Sequence, residues 1–210
     1  MKKEECIEPS DYVIGFTNFL GCKIDLSKRP LIPRTETEFW VGEAIKQISR
    51  VFDGCQKHDF SVLDMFAGSG CIGMAISRHV KNAKVTFADK YQYFDSPNFI
   101  KSDVFSNVHG KFDYIFANPP YIPIKNKNLI QKSVLKYEPK KALFGGQDGF
   151  FYINKFLRDA KKHLNIDGTI FMEFSPEQKI AVGKLVKKYG YKKCQFNKDQ
   201  FGRWRWVKIV

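Results

Sequence analysis

Histidine is scarce in this sequence, four residues in 210, and the five cysteines (Cys6, Cys22, Cys55, Cys71 and Cys194) are odd in number and widely separated. Neither a disulfide framework nor a zinc site is therefore expected, and no metal is expected at the sites. No apolar run approaches the ~20 residues that span a bilayer, and the charged start Met1-Lys2-Lys3-Glu4-Glu5 lacks the apolar stretch of a secretory signal. The sequence predicts a cytoplasmic protein without membrane contact. Internal repeats and low-complexity tracts are also missing, which argues against a solenoid.

Positive charge in the second half is plentiful. Residues 1–120 carry 15 basic and 15 acidic side chains, whereas 121–210 carry 20 and 7, so the net charge of +13 belongs to the second segment. Such asymmetry points to a polyanionic partner, with contact to nucleic acid as one form; a solvated Lys-rich surface has the same composition. With 43% hydrophobic residues the chain can bury one substantial core.

Tyr12–Thr17 and Cys22–Leu26 read as a hairpin around Asn18 to Gly21. Thr35 and Glu38 have the spacing of a capping box, and Val41, Ile45, Ile48 and Phe52 follow at helical spacing. Strands are expected at Ser61–Phe66, Lys84–Ala88, Phe99–Lys101 and Tyr114–Ala117, with a helix over Cys71–Val80. In the second half a helix carries Ile153, Phe156, Leu157, Ala160 and Leu164, and a strand covers Thr169–Phe174. Ser175-Pro176-Glu177-Gln178 then opens a helix running to Tyr189. Tyr191–Phe196 and Arg203–Val210 close the chain as strands. Alternating strands and helices ending in a hairpin predict an α/β, doubly wound sheet with an antiparallel edge.

Gly68-Ser69-Gly70-Cys71-Ile72-Gly73 matches G-x-G-x-x-G between a strand and a helix, which places a ligand against backbone at a helix N-terminus. Asp64 ends the strand just before this loop. A fixed carboxylate repels a pyrophosphate but attracts a cationic α-amino group, so the pair favours S-adenosylmethionine over a dinucleotide. Asp89 ends the next strand at the spacing of a ribose-binding acid, and Asp103 ends the following one, where it can accept from an adenine amino group. Asn118-Pro119-Pro120-Tyr121 follows a further strand. Its prolines hold the Asn118 side chain and the Pro119 carbonyl as two rigid acceptors suited to a planar NH2 group, with Tyr121 as an apolar wall. An amide nitrogen is a weak nucleophile; fixing both its hydrogens aims it at an electrophilic methyl group and supports the charge it gains.

With these residues the chain resembles the HemK-like family, the N5-glutamine methyltransferases of peptide chain release factors. The resemblance rests on Leu31-Ile32-Pro33-Arg34-Thr35-Glu36-Thr37-Glu38, Leu63-Asp64 with Gly68-Ser69-Gly70, Asn118-Pro119-Pro120-Tyr121, Tyr137-Glu138-Pro139 with Ala142-Leu143 and Gly145-Gly146, then Met172-Glu173, Gln178, Asp199, Gly202 and Arg205. It implies a seven-stranded Rossmann-like methyltransferase sheet, residues 1–34 forming a lead-in with a β-hairpin and 35–210 the methyltransferase domain. It also implies S-adenosylmethionine held by Asp64, Phe66, Ala67, Gly68, Ser69, Gly70, Asp89, Asp103, Val104 and Asn118. The glutamine amide of a release factor's Gly-Gly-Gln loop would then sit at Asn118, Pro119, Pro120 and Tyr121.

The chain departs from the family pattern in several places. The helical domain that usually precedes the catalytic one is not expected here, and Thr35 stands where proline is usual, which would strengthen the helix cap. Only Lys90–Asn98 join two strands expected to be parallel, too few for the usual helix. Val104 replaces a larger side chain, which would pass adenine stacking to Phe105. Gly145-Gly146-Gln147 repeats the release-factor tripeptide, a coincidence of two turn glycines. Two other functions are compatible with the same residues: methylation of an adenine or guanine amino group in nucleic acid, and cofactor binding by a degenerate, non-catalytic protein.

Overall fold

The computed structural model describes residues 7–52 and 59–210. Cys6, Cys55 and Met1–Glu5 lie outside these, as does the side chain of Phe52; Cys22, Cys71 and Cys194 are free thiols. Among the described residues no helix is long and apolar enough to cross a membrane.

The chain opens with α1 (Ser10–Ile14), which Gly15 ends in the left-handed conformation. Tyr12 is therefore helical rather than in the expected strand, and its hydroxyl donates to the Pro30 carbonyl at 2.5 Å. The hairpin follows as β1 (Phe16–Phe19) and β2 (Cys22–Asp25). Its Phe19 and Ile24, with Leu26, share a buried cluster with Trp40, Val41 and Ile48 of α2 (Thr35–Phe52). The expected capping box at Thr35 does not form. Thr35 is already the first helical residue, its hydroxyl turns to Glu36, and Glu38 accepts the Leu20 N–H at 2.7 Å. Tertiary contact with the hairpin wins over a local cap, so threonine gains nothing over the proline of the family pattern.

The sheet and its helices continue as β3 (Phe60–Met65), α3 (Cys71–His79), β4 (Ala83–Asp89), β5 (Phe99–Lys101) and β6 (Phe112–Ala117). Then come α4 (Lys132–Tyr137), α5 (Lys140–Leu143), α6 (Phe151–Ala160), β7 (Leu164–Glu173), α7 (Lys179–Lys188), β8 (Cys194–Lys198) and β9 (Trp204–Ile209). The capping box of Ser175 and Gln178 is present ahead of α7. Seven strands lie in the order β5-β4-β3-β6-β7-β9-β8. Strands β3 to β7 are mutually parallel, and β9 is antiparallel to both its neighbours.

Strand alternation divides the interior in two. Val62, Phe116, Phe171 and Trp206 face α2 and α3, while Leu63, Met65, Ile115, Ile170 and Val207 face α6 and α7. Aromatic stacking fills the first face, with Trp40 6.1 Å from both Phe116 and Trp206, and Phe116 4.9 Å from Phe171. The short crossover from β4 to β5 contains no helix, as the spacing required; Phe94 from that segment is buried against Phe87 at 5.0 Å and Phe99 at 5.7 Å.

Candidate active site

The carboxyl ends of β3, β4 and β6 meet where the strand order reverses, the position at which open α/β sheets hold ligands. A cleft there has about 890 Å³ of free space, its open mouth included. Phe66, Ala67, Gly68 and Ser69 form its base. Phe66, Gly68 and Gly70 have φ of 62°, 52° and 79°, so this loop turns through three left-handed residues. For Phe66 that conformation costs roughly 1–2 kcal/mol; its ring packs 5.9 Å from Tyr152, which also lines the cleft, and 6.0 Å from Phe156.

Asp64 does not line the cleft. It shares a strand face with Val62 and so points at α3, where Oδ2 accepts the Gly73 N–H at 2.8 Å. Its Oδ1 is buried without a partner, and burial pushes the carboxyl up to about 7. The expected direct grip on an ammonium group is thus replaced by a brace that fixes the loop from behind. Asp89 does line the cleft, and its two oxygens accept the Gly68 and Tyr91 N–H groups, each at 2.9 Å. Burial raises its pKa against those bonds.

Asp103 sits at the rim, ion-paired to Lys155 at 2.7 Å and Lys90 at 3.2 Å, and the Lys155 hydrogen bond holds its carboxyl below the usual range. An adenine amino group would have to share that oxygen pair with two lysines. Val104 lines the cleft at φ 56°. Phe105 does not: its ring is stacked between Phe156 at 5.6 Å and His163 at 4.5 Å, so it cannot take over adenine stacking. Aromatic walls come instead from Tyr91, Tyr93 and Tyr152, with Lys141 Nζ 3.2 Å from the Tyr91 ring centre. The short crossover therefore supplies a wall of its own.

A second cleft lies beside the first. Asn118, Leu31, Arg34 and Ala142 line both, whereas Pro119, Tyr121, Ile122, Ile130, Val134 and Glu173 line only the second and Pro120 only the first. Asn118 therefore stands in the partition between them. Tyr121 is less an apolar wall than a strut: its hydroxyl donates to Glu173 Oε1 at 2.9 Å, and its carbonyl accepts from Gln178 Nε2 at 3.0 Å. Burial pushes the Tyr121 hydroxyl pKa up and raises that of Glu173 as well. Behind them Arg205 donates to Asp199 at 3.0 Å and its charge favours the Glu173 carboxylate. The partner sets of Glu173, Thr37 and Trp40 were not legible in the sequence, because 136 positions separate Thr37 from Glu173.

Residues 144–146 run alongside the tetrapeptide. The Ile122 N–H donates to the Leu143 carbonyl and the Gly145 N–H to the Ile122 carbonyl, and a Cβ on Gly145 would lie 2.4 Å from the Pro120 carbonyl and 2.7 Å from that of Gly149. These contacts explain Gly145, and a φ of 89° explains Gly146; Gln147 is exposed and lines a groove to which Asn118 does not contribute. Gly145→Ala should destabilise the protein by about 1–3 kcal/mol through overpacking and slow transfer. Thermal melting and initial rates measured together check this; an unchanged melting temperature contradicts it.

Solved methyltransferase structures share this fold. The Mtq2–Trm112 complex of E. cuniculi, "responible for the methylation of eRF1", matches with a TM-score of 0.58 at 17% identity, over 85% of this chain and 96% of that one. The release factor-specific protein-(glutamine-N5) methyltransferase of Alicyclobacillus acidocaldarius matches with 0.55 at 23%, over 85% and 93%. The sheet order and the glycine loop after its first parallel strand are those of the Rossmann-like methyltransferase fold. In sequence, 31% identity links the chain to the release factor glutamine methyltransferase of Clostridium botulinum and 32% to that of Streptococcus pneumoniae, over 95% and 96% of this chain and 75% of each relative. The chain belongs to the release factor glutamine methyltransferase family. It is also 32% identical to the ribosomal protein uL3 glutamine methyltransferase of Francisella tularensis, over 81% of this chain and 58% of that protein. No protein-family model matches the chain.

Proposed function

We propose that the protein transfers a methyl group from S-adenosylmethionine to the side-chain amide nitrogen of a glutamine in a peptide chain release factor. The observation that carries this reading is Asn118 in the wall between two clefts, one walled like a cofactor site and one open to an acceptor. The first cleft fits the cofactor: loop backbone at its base, a carboxylate at the ribose position and tyrosines along its sides. When bound, S-adenosylmethionine supplies an electrophilic methyl group on a sulfonium sulfur.

The chain's own residues have three tasks. Phe66 to Ser69 and Asp89 hold the cofactor, while Asp64 keeps the loop in shape. Asn118 Oδ1 and the Pro119 carbonyl accept the two hydrogens of the substrate amide, which orients its nitrogen and stabilises the positive charge it acquires. Glu173, Gln178 and Gly145 hold the tetrapeptide rigid. No base is required before attack, because the proton leaves the nitrogen only once that charge has formed.

The cationic second half supports capture of an acidic substrate surface. Lys125 and Lys127 lie on an exposed 3-10 turn, Ile124–Leu129, and Lys132 opens α4, all adjoining acceptor-cleft residues Ile122, Ile130 and Val134. Reversing these three charges should raise KM by about tenfold, with kcat little changed and with the wild-type salt dependence of kcat/KM reduced. Steady-state kinetics at several ionic strengths give the answer; an unaltered KM contradicts it.

The same charge keeps nucleic acid as a second reading of the acceptor. Tritiated cofactor incubated with release factor, ribosomal protein and RNA distinguishes these readings. Label in the release factor supports the proposal, and label confined to RNA overturns it. A cytoplasmic place of action follows from such a substrate.

A further inference from the structure

The wall of the acceptor cleft holds a carboxylate that takes no direct part in the transfer step. Glu173 is 2% exposed, yet it receives hydrogen bonds from Trp40 Nε1 at 2.6 Å and Thr37 Oγ1 at 2.7 Å, both on Oε2, and from the Tyr121 hydroxyl on Oε1. Trp40 can only donate, and Glu173 as the carboxylate, the form its three donors and the Arg205 charge favour against burial, can only accept. The one hydrogen of the Thr37 hydroxyl is therefore committed to Glu173. Only its lone pairs remain for Asn118, whose amide nitrogen is 3.4 Å from Thr37 Oγ1. The Asn118 NH2 must then turn inward, leaving Oδ1 for the cleft.

We propose that Glu173 and Thr37 are positioning residues that set which end of the Asn118 amide faces the acceptor, and thereby make the site select glutamine over glutamate. With the relay intact the cleft presents two acceptors, Asn118 Oδ1 and the Pro119 carbonyl. These match the two hydrogens of a primary amide and repel a carboxylate. If Asn118 turned over, its NH2 would face the cleft, lose one hydrogen of the substrate amide and offer a donor to a carboxylate. The inference rests on the methyl-transfer reading above and adds how that site chooses its substrate.

Thr37→Val keeps the shape of the side chain and removes the relay; Thr37→Ser restores the hydroxyl. The substrate is purified release factor, and the competitor is the same protein with its acceptor glutamine changed to glutamate. In Thr37→Val, kcat should fall by about tenfold, and the preference for glutamine substrate over glutamate competitor should narrow by about the same factor, as expected for one lost hydrogen bond. Thr37 also lines the cofactor cleft, so cofactor affinity is measured alongside and should change much less than kcat, and Thr37→Ser should recover both kcat and discrimination.

A fall in kcat with unchanged discrimination, or a Thr37→Val enzyme equal to wild type, overturns the relay while leaving the methyl-transfer reading intact. Failure of the serine variant to recover discrimination also overturns it. A wild-type enzyme inactive on the release factor contradicts the underlying reading, and the relay falls with it.

Discussion

Asn118→Ala should lower the single-turnover rate of methyl transfer by about 10³-fold, the scale of losing a group that both orients a nucleophile and stabilises its developing charge. Asn118 forms no part of either buried cluster, and among the described residues its side chain makes only the 3.4 Å contact to Thr37, so the fold should survive. Cofactor affinity should largely survive too, because the loop and Asp89 remain. Asn118→Asp should also fail, for a full negative charge beside a sulfonium favours the ground state over the transition state. Calorimetry for cofactor binding and rapid-quench measurement of transfer separate the two effects. Rates within a few-fold of wild type contradict the assignment.

Asp89→Ala should weaken S-adenosylmethionine binding by about 2–4 kcal/mol, roughly 30- to 1000-fold, through loss of charge-assisted hydrogen bonds to the ribose hydroxyls. The structure adds a second cause. Asp89 accepts the N–H of Gly68 in the glycine loop and of Tyr91 in the cleft wall, so its removal leaves both elements without their tie. The loss should therefore fall on cofactor affinity and much less on transfer once cofactor saturates the enzyme. Calorimetric titration of the variant is the check, and an unchanged affinity refutes the role.

Local signals in the sequence are legible where the local choice is also the tertiary one. The periodicity of Val41, Ile45 and Ile48 marks α2, Ser175 with Gln178 caps the segment leading into α7, and the missing helix at Lys90–Asn98 follows from chain length alone. Three aspartates after three strands point to the sheet edge where the first cleft lies, which Asp89 and Asp103 line, but spacing does not say which way each points. Asp64 shares the face of Val62 and is turned behind the loop, and Asp103 meets Lys155 from a helix 52 positions later.

The same limit applied to Thr35 and Glu38, whose capping box gave way to a contact with the hairpin at Leu20. Helices α4 and α5, six and four residues long, carry too little periodicity to be seen in a Lys-rich stretch. The contacts beneath Asn118 join α2, β6 and β7, and only the folded chain brings them together.

The most direct test of the account is to incubate the protein with S-adenosylmethionine and purified release factor, then map the product by tandem mass spectrometry. A single methyl group on the side-chain nitrogen of the glutamine in the Gly-Gly-Gln loop, present with the wild-type enzyme and missing with Asn118→Ala, is the expected result. An unmodified release factor, or a methyl group found only on RNA, would contradict it.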